Sequence, residues 1–527
     1  MTEGYINLVL HAHLPFVRHP NDLDPLEEDW LFEAITETYL PLLKMMDRLE
    51  KENVSFPITI TMSPTLLNML DDHLLQTRYQ RRLESLIELA EKEITRTRDK
   101  PEYQRVAKMY KNLFEESYNI FCDRYHKNII QGFRYFQDQG QIEIITCGAT
   151  HGYLPMMVHD QAIRAQIKQG VKTYQRFFGK KPKGIWLPEC GFKPGFDKFL
   201  KEEDIKFFFA DTHCLLYATP RPRYGIHAPL YTPNGVAAFG RDVETSNQVW
   251  SANEGYPGDF DYREFYRDIG YDLDYNYIRP YLHSTGLRKM TGIKYYRITG
   301  KGDNKEVYNP DWARYKAGLH ADNFIFNRQK QIKHLNRFMD RPPIITSPYD
   351  AELFGHWWYE GPQFLEFLIK KLHFDQKEGK LITPSKYLEK YPLNQVAQPS
   401  EGSWGHAGYH EVWLNGTNDW IYPYLHEASK KMIKLASQFH QPSELERRAL
   451  NQAARELLLA QSSDWAFIMK TGTMVDYAIR RTKTHINQFS ELEKMLTERE
   501  IDDGKLYQIE LEDNLFPELD YQIYQTM

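Results

Sequence analysis

Short apolar runs that each lead into polar residues are the feature that most restricts how this chain folds. Tyr5–Leu10 (YINLVL), Phe56–Met62 (FPITITM), Ile142–Thr146 (IEIIT), Gly184–Leu187, Lys206–Ala210 (KFFFA) and Pro343–Ser347 (PIITS) read as buried strands. Leu31–Lys51, the charged stretch from about Leu74 to Gln139, and Gln161–Phe178 lie between them and read as helices. Strands that alternate with helices point to a parallel α/β sheet or barrel. His11 and His13 follow the first run, Gly148–His151 the third, Glu189 the fourth, Asp211 and His213 the fifth, and Tyr349–Asp350 the last. Polar groups at the C-terminal ends of parallel strands converge on one mouth, as a barrel active site requires.

The pattern changes from Thr417 onward, where 418–439, 443–461 and 474–498 read as helices. At 527 residues the chain is too long for one ordinary domain. The expected division is a barrel with inserted helical and loop segments over 1–400 and an α-helical region over 401–527 that contributes to the cleft. Gly and Pro interrupt residues 220–310, which predicts long loops over the barrel mouth. A net charge of -6 is small for this length and argues against a nucleic-acid partner. No run of apolar residues is long enough to span a membrane. The first residues carry an acid and no basic region, so no signal peptide is expected. Cys122, Cys147, Cys190 and Cys214 form no CxxC pair and read as reduced thiols of a cytoplasmic protein.

Five segments carry chemistry. HAHLP (11–15) sets His11 and His13 two apart on an extended segment, so both point one way. Such a pair can chelate a metal, can hydrogen-bond a sugar, or can be one functional and one packed histidine. CGATHGYLP (147–155) brings His151 between two glycines that permit close backbone approach. GIWLPECGF (184–192) sets Glu189 past a strand end beside Trp186, placed for a nucleophile or an acid; a solvated loop carboxylate is the plainer alternative. TSPYDAELFGHWWYEGP (346–362) sets Asp350 after a strand with Glu352, Trp357 and Trp358 behind it. Aromatic neighbours desolvate such an acid and raise its pKa, with Glu352 as the rival carboxylate. Finally, Trp404, Trp413, Trp420 and Trp465 sit among Gly, Ser, Asn and Asp, where flat rings suit stacking on pyranose faces.

Taken in order, HAHLP, GATHGYLP, WLPECG, SPYDAELFGHWWYEGP and QSSDWAFI resemble the five motifs of glycoside hydrolase family 57. Within it, residues 240–272 and the Trp404/Trp413 pair are most similar to the 1,4-α-glucan branching enzymes. The resemblance implies a distorted (β/α)7 barrel followed by helices, no required metal or other cofactor, and an α-1,4-glucan (amylose, glycogen or starch-like) as donor and acceptor. It implies that Glu189 is the nucleophile and Asp350 the acid/base of a retaining reaction. It makes His11, His13, His151, Trp186, Arg241, Trp357, Trp404, Trp413, Asp464 and Trp465 sugar-site residues. A tyrosine-bearing loop shields the site in such enzymes; here Tyr231, then Tyr224, is expected to supply it. The expected activity is α-1,6 branching in glycogen synthesis. The rivals are a 4-α-glucanotransferase, an amylase-like hydrolase, a metal-dependent polysaccharide deacetylase and a glucan-binding protein without catalysis.

Overall fold

Each apolar run is a strand of the computed structural model, which describes residues 3–251, 254–300 and 302–525. The strands are β1 (Gly4–Ala12), β2 (Ile58–Met62), β3 (Ile142–Cys147), β4 (Gly184–Trp186), β5 (Phe207–Ala210), β6 (Leu230–Tyr231), β7 (Ala237–Gly240), β8 (Ile344–Asp350) and β9 (Gly379–Leu381). Seven of them run parallel in the order β7-β5-β4-β3-β2-β1-β8. Arg241, just past β7, bridges Thr346 of β8, where the Asp242 amide donates to the Thr346 carbonyl at 2.8 Å. That contact joins the two ends of the sheet and makes it a distorted seven-stranded barrel. β9 lies beside the first residues of β1, and β6 turns back antiparallel along β7. Every residue of β1 is buried, which explains its run of apolar residues broken only by Asn7: both faces of a parallel strand are covered.

Helices wrap the barrel. The helix Asp160–Phe178 ends at Gly179 in the left-handed conformation, φ 68°, which stops it without a Cβ penalty. It also lies very close to β3. A Cβ on Gly170 would fall 2.1 Å from the Cys147 carbonyl oxygen. Gly170→Ala therefore has to push the helix off the strand that leads to His151, and a loss of about 1–3 kcal/mol of stability is expected despite the better helix propensity of Ala. Urea titration measures it; an unchanged midpoint would mean that the helix slides freely.

The expected long loops divide between the two ends of the barrel. The described residues after β7, through residue 308, lie on the mouth side: Phe265 stacks on Trp357, and Arg263 pairs with Glu37 at 3.0 Å. Residues 224–236 do not. Tyr231 pairs with Ala237, the first residue of β7, and packs among barrel-floor side chains such as Tyr5 and Tyr387. Tyr224 hydrogen-bonds Asp340, ahead of β8, and lies beside Arg341. Both tyrosines thus sit at the N-terminal ends of the strands. This corrects the expectation that either caps the mouth.

The C-terminal region is helical as expected, over Ile421–Gln438, Glu444–Ala460, Ser463–Thr471, Val475–Glu498 and Asp503–Glu512. Ser443 and Glu446 form a capping box that starts the second of these helices. Its far end is fixed by a buried group in which His485 Nδ1 meets Glu456 at 2.7 Å and Asp513 at 3.5 Å. The chain then turns directly into Gln461–Trp465. No helix among the described residues is long and apolar enough to cross a membrane.

Candidate active site

Glu189 stands one turn past β4 with φ 60° and ψ 23°, a left-handed conformation that a residue with a side chain adopts at a cost. Its neighbour Cys190 and His151 after β3 are left-handed too. Glycine would take such positions freely, but here they turn the functional side chains inward. Two later segments dock on either side of Glu189. Phe192 and Gly402 exchange backbone hydrogen bonds, and the Trp404 amide donates to the Glu189 carbonyl at 3.0 Å. Gly152 bridges Ser462, and the Ser463 amide donates to the His151 carbonyl at 3.0 Å. As a result the Trp404 indole N–H donates to Glu189 Oε2 at 2.8 Å, and the Ser463 hydroxyl donates to Oε1 at 2.9 Å.

Asp350 is the last residue of β8, which runs further than the apolar run Pro343–Ser347 indicates, and it pairs in register with His11 of β1. No side-chain hydrogen bond joins it to another described residue. Burial drives its carboxyl well above the usual carboxylate range, the charges of Glu352 and Glu189 add to the shift, and Arg241 offsets part of it. Glu189 is also raised by burial, but the Trp404 and Ser463 donors favour its charged form. Both carboxyls are thus raised, Asp350 well above the usual range, and only Glu189 has donors that favour its charged form. Pairs pushed apart in this way divide acid from nucleophile.

The three histidines lie together, His13 stacked on His151 and His11 meeting His151 edge to edge, Nε2 to Nε2 at 3.0 Å. His13 and His151 lie 3.9 Å apart at 14°, His151 and His11 5.1 Å apart, and His11 rests on Trp186 at 4.7 Å and 18°. His13 is held by Ser63 Oγ at 2.9 Å and Asp464 at 3.1 Å. Burial opposes its charge, but Asp464 prevails and its pKa is raised. His11 and His151 are held well below the usual imidazole value, by burial first and by His13 next. His13, His151 and Asp464 have donor atoms within 4.8 Å of one another. Stacked rings aim their in-plane lone pairs side by side rather than at one point, and the two His13 nitrogens are already engaged, so this donor set does not fit a chelated metal.

Arg241 donates to Asp211 at 3.2 Å and to Ser246 at 2.8 Å, with its guanidinium 5.6 Å from the Trp404 ring centre. Glu352 accepts from Tyr39 and from the His13 amide at 3.2 Å. Tyr39 ends a π-helical turn, Ile35–Tyr39, whose Glu37 carbonyl lies where a Cβ of Gly355 (φ 119°) would go, so this turn seats the segment behind Asp350.

Among the tryptophans, Trp357 is 52% exposed and stacked on Phe265 at 4.4 Å, and Trp404 is partly exposed. Trp186, Trp413 and Trp465 are not available to a sugar. They are 0%, 1% and 0% exposed: Trp186 backs His11, Trp413 stacks on Tyr153 at 4.4 Å, and Trp465 donates to the Leu459 carbonyl inside the helical core. The expectation that these three offer a face to ligand is corrected accordingly; they brace the site from behind. Ser63, Ser463, Tyr39 and Asp211 are site residues that sequence reading missed or left without a role. Asp211 carried a signal as a polar residue just past the fifth strand, and Ser463 as part of QSSDWAFI.

The model of glycosyl hydrolase family 57 matches residues 7–399, and that described as 1,4-alpha-glucan branching enzyme, C-terminal, matches residues 424–524. The 1,4-alpha-glucan branching enzyme TK1436 of Thermococcus kodakarensis is 35% identical, over 98% of this chain and 77% of its own. Among solved structures, the alpha-amylase AmyC of Thermotoga maritima is 45% identical with a TM-score of 0.93, covering 99% of each chain. The GH57-type branching enzyme of Pyrococcus horikoshii is 32% identical with a TM-score of 0.90, covering 100% of this chain and 97% of that one.

Proposed function

The chain belongs to glycosyl hydrolase family 57, and from that membership we propose that it is a 1,4-α-glucan branching enzyme working by a retaining mechanism. The observation that carries the chemistry is the unequal pair of carboxyls, Glu189 anchored by two donors and Asp350 unanchored, with burial holding its pKa well above the usual range. Glu189 attacks the anomeric carbon of an α-1,4-linked glucan. Asp350 gives its proton to the departing 4-oxygen, and a covalent glucosyl ester on Glu189 results. Asp350, now ionised, takes the proton of the incoming 6-hydroxyl as that oxygen attacks the same carbon, and α-configuration is restored. His13, paired with Asp464, and Arg241 line the mouth as hydroxyl partners, with Trp357 and Trp404 as the exposed rings.

The branching reading is supported by the match of residues 424–524, which include Ser463 and Asp464. A second reading, hydrolysis, is favoured by the 45% identity to a protein called an alpha-amylase. Incubation with amylose followed by proton NMR separates the two. Branching predicts growth of the α-1,6 anomeric signal with few new reducing ends; many reducing ends without α-1,6 signal would make the enzyme a hydrolase. The proposal includes a division at residues 400/401 between the barrel and a helical domain that completes the cleft. It also includes a place in the cytoplasm and in glycogen synthesis, in keeping with four free cysteines.

A further inference from the structure

We infer that His11, His151 and Ser463 form a one-way hydrogen-bond relay that holds Glu189 as a carboxylate; this rests on the reading of Glu189 as the nucleophile. The direction follows step by step from who can donate. An ionised carboxylate only accepts, so the single hydroxyl hydrogen of Ser463 points at Glu189 Oε1, 2.9 Å away. Ser463 Oγ also lies 2.8 Å from His151 Nδ1 and is left as the acceptor there, so Nδ1 carries the hydrogen. A neutral imidazole has one N–H, which leaves His151 Nε2 bare. That atom faces His11 Nε2 at 3.0 Å, so the hydrogen between them belongs to His11. His11 Nδ1 is then bare as well, and it is the atom found buried without a partner. An unpaired acceptor is tolerated better in a protein interior than an unpaired donor, so the one orphan falls where the direction requires it.

The surroundings enforce the same order. Burial first, and then His13 stacked on His151, lowers the pKa of both imidazoles and so favours their neutral forms. One face of His11 rests on Trp186 while its Nε2 edge meets His151, which holds the ring in place. Aligned donors reinforce one another in a site of low polarity. If His11 ceased to donate, the His151 proton could move to Nε2. Nδ1 would then accept from Ser463, and the hydroxyl would turn away from Glu189. His11 and His151 are thus positioning residues that act through Ser463.

The test is covalent labelling by a 5-fluoro α-maltosyl fluoride, whose leaving group needs little help from an acid. The labelled peptide is identified by mass spectrometry and the labelling rate followed against pH. The acid limb reports the ionisation of Glu189. Loss of one charge-assisted hydrogen bond in S463A is expected to move that limb up by about 1–2 pH units, and S463T to restore it. H11F keeps the stack but removes the donor, and should move the limb the same way by less, with H11Q restoring it. The double variant S463A/H11F should lie no higher than S463A. The relay is overturned if H11F leaves the acid limb in place and weakens only saturation, or if the two shifts add. Should S463A fail to fold, H11F against H11Q decides alone. Label on a residue other than Glu189 would overturn the nucleophile reading itself, an outcome distinct from an unmoved limb.

Discussion

Glu189→Ala lowers glucan transfer by about 10⁴-fold or more, and added azide restores turnover with a β-linked glucosyl azide as product. The loss is this large because the covalent step has no other nucleophile on that side of the sugar. Azide fits the vacated space and attacks once, so the product is inverted where the parent retains. Alanine inherits the left-handed backbone at residue 189 without adding to its cost, so the fold should survive. Activity is followed by iodine staining of amylose and the azide by NMR. A variant that keeps a tenth of its activity, or azide that gives an α-product, would remove Glu189 from the role of nucleophile.

The second large effect is at Asp350. Asp350→Ala should lose about 10²–10⁴-fold against amylose, whose leaving 4-oxygen needs a proton. It should lose far less in the glucosylation step from an α-glucosyl fluoride, whose leaving group does not. The parent rate on amylose should rise with pH as Glu189 ionises and fall as Asp350 does, and the alkaline fall should be absent on the fluoride. Stability moves the opposite way. A carboxyl whose pKa is raised on folding binds more protons in the native than in the unfolded chain, so stability is lost as pH climbs from the ordinary aspartate value toward the raised one. Asp350→Asn removes that loss and should melt higher than the parent at neutral pH, with no gain at acid pH where both carry a neutral group. Equal losses on both substrates, or a lower melting temperature at neutral pH, would refute the acid role.

Much of the site was legible because parallel strands are apolar throughout and then stop. In Tyr5–Leu10 and Ile142–Thr146 the apolar run ends within two residues of the strand end, so the next polar residue is a mouth residue. β7 lacked that mark. AAFG is four residues long with two alanines, too short and too small to stand out, and Tyr231 and Tyr224 were consequently assigned to the wrong end of the barrel. The tryptophans misled for another reason. Glycine and serine around Trp413 suggest an open loop, but Gly405 lies against its ring, so the glycine there serves close packing. Trp465 opens a helix that is buried on that face, and nothing in SSDWAF marks which face that is. The relay partner Ser463 was legible only as a motif letter, because hydrogen-bond direction is a property of space and not of spacing.

The two hydrogen bonds on the Glu189 carboxylate come from residues 404 and 463, far later in the chain than residue 189. A ribosome making this protein finishes the strand that bears the nucleophile long before it makes either donor. The emerging barrel therefore carries an unanchored carboxyl that burial tends to protonate, and glucan-cutting power arrives only when Ser463 has been added and docked. Arrested or truncated chains would then be harmless to the polymer around them. A nascent-chain series released at successive lengths should show no activity until the chain extends past residue 463 to the helices that hold it, instead of activity growing with the barrel.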